Sequence, residues 1–394
     1  MDSSRRVLIT GGGGFVGLKL CQELTRRGYK VTALDVKFVS DAALVKEEDK
    51  NIDKVEADIT DTSRVNEVVS SCKPHGIFHV ASYGMSGREM LNKAQIEAVN
   101  VQGTSNVLNA CREHNVRWVV YTSTYNVVFA GQVIENGDDT TPYLPPDQHI
   151  DHYSRTKCMA EQMVIAANGD ELQGGSGHLR TCSLRCAGIY GEGETRHLPR
   201  IVSYIQQGLF CFKYGDPNCL VEFIHVDNVV LGHRLAAMAL DDDQKHKTVG
   251  GQSYFISDGT PVNNFEFFRP LIEGLGYTYP KIRIPVGLVY FAAFLIEWIH
   301  SLVYLVTGGY SFQPLLTRAE VNKTGVTHYF NMDKAQRHLG YQPLNRNLDG
   351  VVEWYKKRLP RQPNNKNNSW LLILNILLMV TFVAILFSFI PMAG

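Results

Sequence analysis

The chain has 394 residues, 44% hydrophobic and 20% charged, with 39 basic and 39 acidic side chains and a formal net charge of zero. Such a length allows one large domain with an appendage, or two domains, and the balanced charge excludes the basic footprint of a nucleic-acid binder. Eight cysteines are scattered with no Cys-x-x-Cys pair and no metal-type spacing, which reads as reduced thiols in a cytosol-facing domain and no metal site.

Met1 to Arg6 is polar and carries no signal-peptide pattern, and Val7 to Thr10 already predicts a strand. Gly11, Gly14 and Gly17 follow in Gly-x-x-Gly-x-x-Gly spacing, with Phe15 and Val16 between the last two. Leu18 to Arg27 predicts a helix closed by Gly28, and Lys30 to Leu34 a second strand. This order is that of a dinucleotide site. The glycines allow a tight turn, close approach of backbone to pyrophosphate, and close packing of helix on strand. Asp35 ends the second strand, where a carboxylate meets the adenosine ribose hydroxyls and repels a 2′-phosphate, so NAD is favoured over NADP. Arg5, Arg6 and Lys37 are close enough in sequence to soften that preference.

A third strand, Lys54 to Ala57, sets Asp58 and Ile59 at the adenine edge. A fourth, Ile77 to Ala81, turns its carboxyl end and Ala81 towards the cofactor. Asn100 falls in a helix from Ile96 to Cys111 and reads as a solvated helix residue. Val119 to Thr124 predicts a fifth strand. The Pro-rich loop after it holds Asp147, His149, Asp151 and His152, which read as solvated or helix-capping residues rather than metal ligands.

Tyr153-Ser154-Arg155-Thr156-Lys157 is the most informative stretch. In a helix Tyr153 and Lys157 lie one turn apart on one face. A free phenol titrates near 10, and a neighbouring ammonium favours the phenolate, turning a tyrosine into a usable acid/base near neutral pH. Further on, Phe255 to Gly259 predicts a strand returning to the sheet, so the boundary between a dinucleotide-binding region (1–190) and a substrate region (191–358) is interleaved.

Two apolar stretches point to a membrane. Val286 to Val306 is interrupted by Glu297, His300 and Ser301, all on one helix face, and an acid at mid-membrane depth costs about 2.5–3.5 kcal/mol on insertion scales. A helix lying in the interface, a second span and a core helix compete there, the interface being preferred. A basic and Asn-rich linker (359–369) precedes an uncharged run from Trp370 to Pro391, which at 1.5 Å per residue covers roughly 32 Å, a bilayer's hydrocarbon core. The positive-inside rule keeps those cations, and the folded region before them, in the cytosol.

Together these residues resemble the extended short-chain dehydrogenase/reductases over almost all of Val7 to Arg358. The likeness is greatest to the 3β-hydroxysteroid dehydrogenase/isomerase branch and its subfamily 42E, through Ala81 to Glu89 and Thr324 to Phe330. The resemblance implies a Rossmann-type doubly wound parallel sheet with a smaller C-terminal substrate domain, a C-terminal transmembrane helix and NAD as cofactor. It implies Tyr153 as proton donor and acceptor, Lys157 as the cation that lowers the tyrosine pKa and bonds the nicotinamide ribose, and Thr124, with Ser123 beside it as the alternative, as the hydroxyl that orients the substrate oxygen. Two positions depart from the family pattern. Cys186 stands where a proline is usual, and Val221-Glu222 where nucleotide-sugar enzymes carry an arginine for the diphosphate.

The expected activity is hydride transfer between nicotinamide and a hydroxyl or keto carbon of an apolar partner, a 3β-hydroxysteroid or sterol, at a lipid membrane. The expected location is the endoplasmic reticulum with the catalytic region facing the cytosol, and a homodimer is left open. The alternatives are a decarboxylating sterol-4-carboxylate dehydrogenase, a catalytically silent NAD-sensing scaffold and, less favoured, a sugar-nucleotide epimerase or dehydratase.

Overall fold

The computed structural model describes residues 5–38, 41, 43–85, 87–307 and 316–359. The expected membrane-crossing run at 370–391, and the linker before it from residue 360, lie outside the described residues.

Seven parallel strands form the central sheet: β1 (Arg6–Thr10), β2 (Lys30–Asp35), β3 (Ile52–Glu56), β4 (Gly76–His79), β5 (Trp118–Thr124), β6 (Arg180–Cys186) and β7 (Gln252–Ile256). Their spatial order is β7-β6-β5-β4-β1-β2-β3. The order reverses beside β1, and ligands of such sheets bind outside the carboxyl ends of the strands at that switch point. The strand returning to the sheet starts three residues earlier than the sequence pattern suggests, at Gln252, and pairs with β6.

Side-chain alternation divides the core between the two faces. On one, Val7, Ile9, Val120 and Leu184 pack with Leu20 and Leu24 of α1 (Phe15–Arg26) and with Ala236 and Leu240 of a later helix, Val226–Asp241. On the other, Leu8, Ile77, Val119 and Tyr121 meet α2 (Thr62–Cys72), α3 and α4 (His152–Ala166). Helix α3 begins at Lys93–Glu97, passes through a π turn at Ala98–Gln102 and resumes at Gly103–Glu113. Among the helices that follow are α5 (Leu198–Gln206), α6 (Val226–Asp241), α7 (Asn264–Gly274), α8 (Val286–Thr307) and α9 (Arg318–Gly325).

The rest of the chain builds a second lobe. Tyr190, Leu198, Val202, Phe268, Leu271, Val351 and Val352 share one core, and Tyr214, Phe265, Val289, Ala293 and Val321 a smaller one. The chain passes repeatedly between lobes, since α6, β7 and residues Met332, Ala335 and Tyr341 belong to the sheet's core. Where the crossings meet, the Asp258 carboxylate accepts from the Tyr190 hydroxyl at 2.8 Å, the His225 amide at 3.0 Å and Asn228 Nδ2 at 2.7 Å.

The glycine turn is held by contact as much as by conformation. Gly11 has φ +72°, and a Cβ there would sit 2.7 Å from the Ala81 nitrogen. A Cβ on Gly17 would come 2.0 Å from the Gly11 carbonyl oxygen. Overpacking of this kind costs about 1–3 kcal/mol, so Gly17→Ala is expected to lower stability by that amount in urea unfolding and to weaken NAD binding. An unchanged unfolding midpoint would show that the turn has slack.

Candidate active site

Several sequence-predicted residues gather at the carboxyl ends of β1, β2, β4 and β5. Gly14 caps α1 without a side chain, so no side-chain acceptor occupies the first-turn amides. Asp35 reaches over this turn: its Oδ2 accepts from the Gly13 amide at 3.0 Å and its Oδ1 from the Lys37 amide at 3.3 Å. Burial raises its proton affinity, and the amides of Lys37, Gly13, Val36 and Gly14 oppose that. Arg5 and Arg6 lie at the far end of β1. Arg6 stands beside Lys30 in the β1–β2 register, five residues before Asp35 and so about 16 Å away. Arg5 pairs with Asp241 and Arg6 Nε donates to the Lys73 carbonyl at 3.0 Å. The sequence proximity of these arginines to the acid therefore has no spatial counterpart, and of the three cations only Lys37 remains near.

Asp58 accepts from the Thr60 amide at 2.9 Å, shaping the turn after β3. Ile59 is a core residue packed under Gly103, and its carbonyl accepts from Asn106 Nδ2 at 2.9 Å. Ala81 is half-buried against Gly11, its amide reaching Thr10 Oγ1 at 3.3 Å.

Helix α4 begins with Asp151, whose Oδ1 accepts from the Ser154 amide at 2.7 Å while its Oδ2 takes the Lys323 ammonium at 2.6 Å. This is the capping role expected of the acidic loop, and among the described residues no cluster suited to a metal ion occurs. Tyr153 and Lys157 then follow a turn apart, both buried. Their polar contacts diverge. Lys157 Nζ donates to the Thr122 carbonyl at 2.6 Å and lies 4.0 Å from the Tyr121 ring centroid. Burial pulls its pKa down to about 7, against the pull of Glu161. Burial also pushes the Tyr153 phenol above its ordinary value, and the largest influence opposing it is the Arg196 charge, with a hydrogen bond to Ser82 as a further one.

Thr124 Oγ1, at the end of β5, accepts from Asn126 Nδ2 at 3.1 Å. Ser123 points the other way along the pleat, towards Glu161 beneath α4. Glu161 is fully buried and accepts from Arg185 Nε at 2.8 Å, the Ser183 hydroxyl at 2.9 Å and the Tyr143 hydroxyl at 2.8 Å. Cys186, at the proline position, is a buried thiol paired in register with Thr124.

Asn100 departs from its sequence reading. It is buried in the π turn of α3, where its Oδ1 accepts from the Tyr83 amide at 2.9 Å. Its Nδ2 donates to the Tyr83 carbonyl and to Thr156 Oγ1, each at 3.0 Å. It thus locks the loop after β4 to the helix carrying Tyr153. Helical spacing alone gave no signal for it, because a π turn shifts the face on which a residue falls. Arg196 and Glu161 were likewise missed.

The arrangement therefore brings an open helix start, the Asp35 carboxylate over the glycine turn and a buried Tyr–Lys helix to the carboxyl-end side of one sheet. The 3-beta hydroxysteroid dehydrogenase/isomerase family profile matches residues 8–286. The chain belongs to that family. It is 52% identical over 387 residues to short-chain dehydrogenase/reductase family 42E member 1 of Danio rerio, covering 98% of this chain and 97% of the relative. It is 35% identical over 343 residues to a 3-beta-hydroxysteroid dehydrogenase of Mycolicibacterium neoaurum, covering 86% and 87% of the two chains. The crystal structure of DesIV, a dTDP-glucose 4,6-dehydratase from Streptomyces venezuelae, superposes with TM-score 0.65 at 22% identity, covering 90% of this chain and 97% of that one. That likeness is one of fold.

The Lys157 pKa has a thermodynamic consequence. In the unfolded chain a lysine titrates near 10.4, so between about 7 and 10 the unfolded state holds a proton that the folded state lacks. Stability from this group therefore rises with pH across that window and is lost as pH falls through about 7. Lys157→Met is expected to remove that part of the rise in urea-unfolding free energy between pH 7 and 10. Parallel curves for the two proteins would contradict it.

Proposed function

We propose that this protein is an NAD-dependent dehydrogenase acting on a CH–OH carbon of an apolar alcohol, a 3β-hydroxysteroid or sterol. The observation that carries the reading is the buried Tyr153–Lys157 helix, with Lys157 held by the Thr122 carbonyl near the end of β5 and Tyr153 near Ser82 after β4. NAD fits the residues present: Gly11, Gly14 and Gly17 leave room for backbone against pyrophosphate, the first turn of α1 offers its amides, and Asp35 suits ribose hydroxyls. When bound, NAD supplies the acceptor for the hydride.

The chain's own groups handle the proton and the geometry. Tyr153 Oη takes the hydroxyl proton as the carbonyl forms, or gives it back in the reverse direction. Thr124 Oγ1 orients the same oxygen. Lys157 is fixed through the Thr122 carbonyl; in its protonated form it would favour the phenolate beside the Arg196 charge, and because burial draws its proton affinity down to near neutrality that support falls as pH rises through about 7. Burial around the phenol excludes water from the proton transfer.

The substrate class rests on the family and on the second lobe. Val221 and Glu222 are buried, and Glu222 accepts from the Ser257 hydroxyl at 2.7 Å and the Phe330 amide at 2.9 Å. A carboxylate so engaged offers nothing to a diphosphate, which weighs against a nucleotide sugar. A second reading has an observation of its own. The guanidinium of Arg196, 3.7 Å from the Glu89 carboxylate and felt by the Tyr153 phenol, is suited to exchange that partner for a substrate carboxylate such as a sterol 4-carboxylate presents.

Tyr153→Phe is expected to retain NAD binding, measured by calorimetry, while turnover falls about 10²–10⁴-fold. NADH formation should be screened over 3β-hydroxysteroids and 4-carboxysterols. Undiminished turnover in that variant removes the mechanism. NAD binding without turnover on any of these substrates instead favours the silent NAD-binding scaffold. Preference for the carboxylated panel, lost in Arg196→Met, selects the second reading.

A further inference from the structure

The amino edge of the central sheet, at the opposite strand ends from the glycine turn, carries a row of cations that the proposed chemistry does not use. Backbone hydrogen bonds set the row out. The His75 amide donates to the Arg6 carbonyl at 2.9 Å, the Arg117 amide to the His75 carbonyl at 3.0 Å, and the Arg180 amide to the Arg117 carbonyl at 3.0 Å. Residues 6, 75, 117 and 180 thus stand side by side at or just before the starts of β1, β4, β5 and β6. With neighbouring strands about 4.8 Å apart, the row is about 14 Å long.

A cavity of about 740 Å³ opens along this row, a volume usual for small-molecule sites. The carboxyl ends of α2 and α3 line it through Lys73 and Glu113, and residues 172–178 add a further wall with His178. Glu113 is the one carboxylate among the described lining residues. Arg117 and Arg180 share Asp243, whose side chain is 73% exposed. Among the described residues no acid pairs with Arg6 or Lys73, and Arg6 Nε donates to the Lys73 carbonyl at 3.0 Å. Arg6, Lys73, Arg117 and Arg180 set against Glu113 and Asp243 leave a surplus of positive charge before any imidazole is protonated.

Helix carboxyl ends attract cations, which accounts for Arg6 at the Lys73 carbonyl. It does not account for Arg117 and Arg180, which lie at strand starts. Nor does it explain a lysine at position 73, where φ is +44° and glycine is the usual occupant, so that lysine carries a conformational cost. The chain's zero net charge makes the row a local feature rather than part of a general basic surface. Guanidinium groups grip phosphate oxygens through paired donors, and linked phosphates can meet successive members of such a row.

We propose that this amino-edge cleft binds a compact ligand carrying two or more linked phosphates, at a site separate from the dinucleotide turn. The test uses the full chain in detergent, saturated with NADH to fill that turn, and follows binding by calorimetry. Tripolyphosphate should bind saturably and at least about tenfold more tightly than orthophosphate, because linked groups bind at high effective concentration. Lys73→Gly, which suits the left-handed backbone, should keep the urea-unfolding midpoint or raise it while weakening binding about fivefold. Asp243→Asn, which releases Arg117 and Arg180, should strengthen binding by about the same factor. A folding defect cannot produce both signs. Tighter binding of ATP than of tripolyphosphate assigns a nucleotide as the ligand, and equal or weaker binding a bare phosphate chain. No saturable heat, binding seen only without NADH, orthophosphate binding as tightly, or equal affinity in all three proteins would overturn the proposal. Turnover enters none of these readouts, so the outcome is independent of the dehydrogenase reading.

Discussion

Beneath α4 a carboxylate and a guanidinium are buried together, and the site depends on that pairing. Two charges taken out of water need close partners, and Glu161 obtains them from Arg185, Ser183 and Tyr143. Arg185 lies over the Tyr143 and Phe255 rings, and its Nη1 has no hydrogen-bond partner among the described residues. The geometry this demands ties α4 to β6 at a fixed rotation. One turn earlier on the same helix, Lys157 then meets the Thr122 carbonyl, and one turn before that Tyr153 is buried near Ser82. The same carboxylate opposes the loss of charge on Lys157 that burial would cause. A structural ion pair and the buried Lys157 ammonium are thereby linked through one helix.

Much of this was legible in the chain. The glycine spacing, Asp35 and the Tyr-x-x-x-Lys helix are local signals, because each depends on residues within one turn or one strand–turn–helix unit. The strand boundaries moved by only a few residues, and the returning strand β7 was readable from its own apolar pattern. Arginines near Asp35 in sequence misled for a physical reason: a strand of five residues puts its two ends at opposite edges of the sheet.

What was not legible depends on chains meeting across long sequence separations. Asn100 clamps Tyr83 and Thr156, partners 17 and 56 residues away, from within a π turn that no periodicity announces. Arg196 influences the phenol from a loop in the other lobe. Ser123 and Thr124 were equivalent as letters, and only the pleat and the position of Glu161 separate them.

Asp258 stands where strands from both lobes cross, gathering Tyr190, His225 and Asn228 on one carboxylate. A protein knotted together at such a junction is not two modules on a string. Cutting it after residue 190 would strip the sheet of its outer strand and leave the remaining fragment with helices whose neighbours are gone. Evolution of new specificity in such a scaffold is thereby channelled into loops and the outer lobe's surface, since exchange of an entire half would sever the crossing.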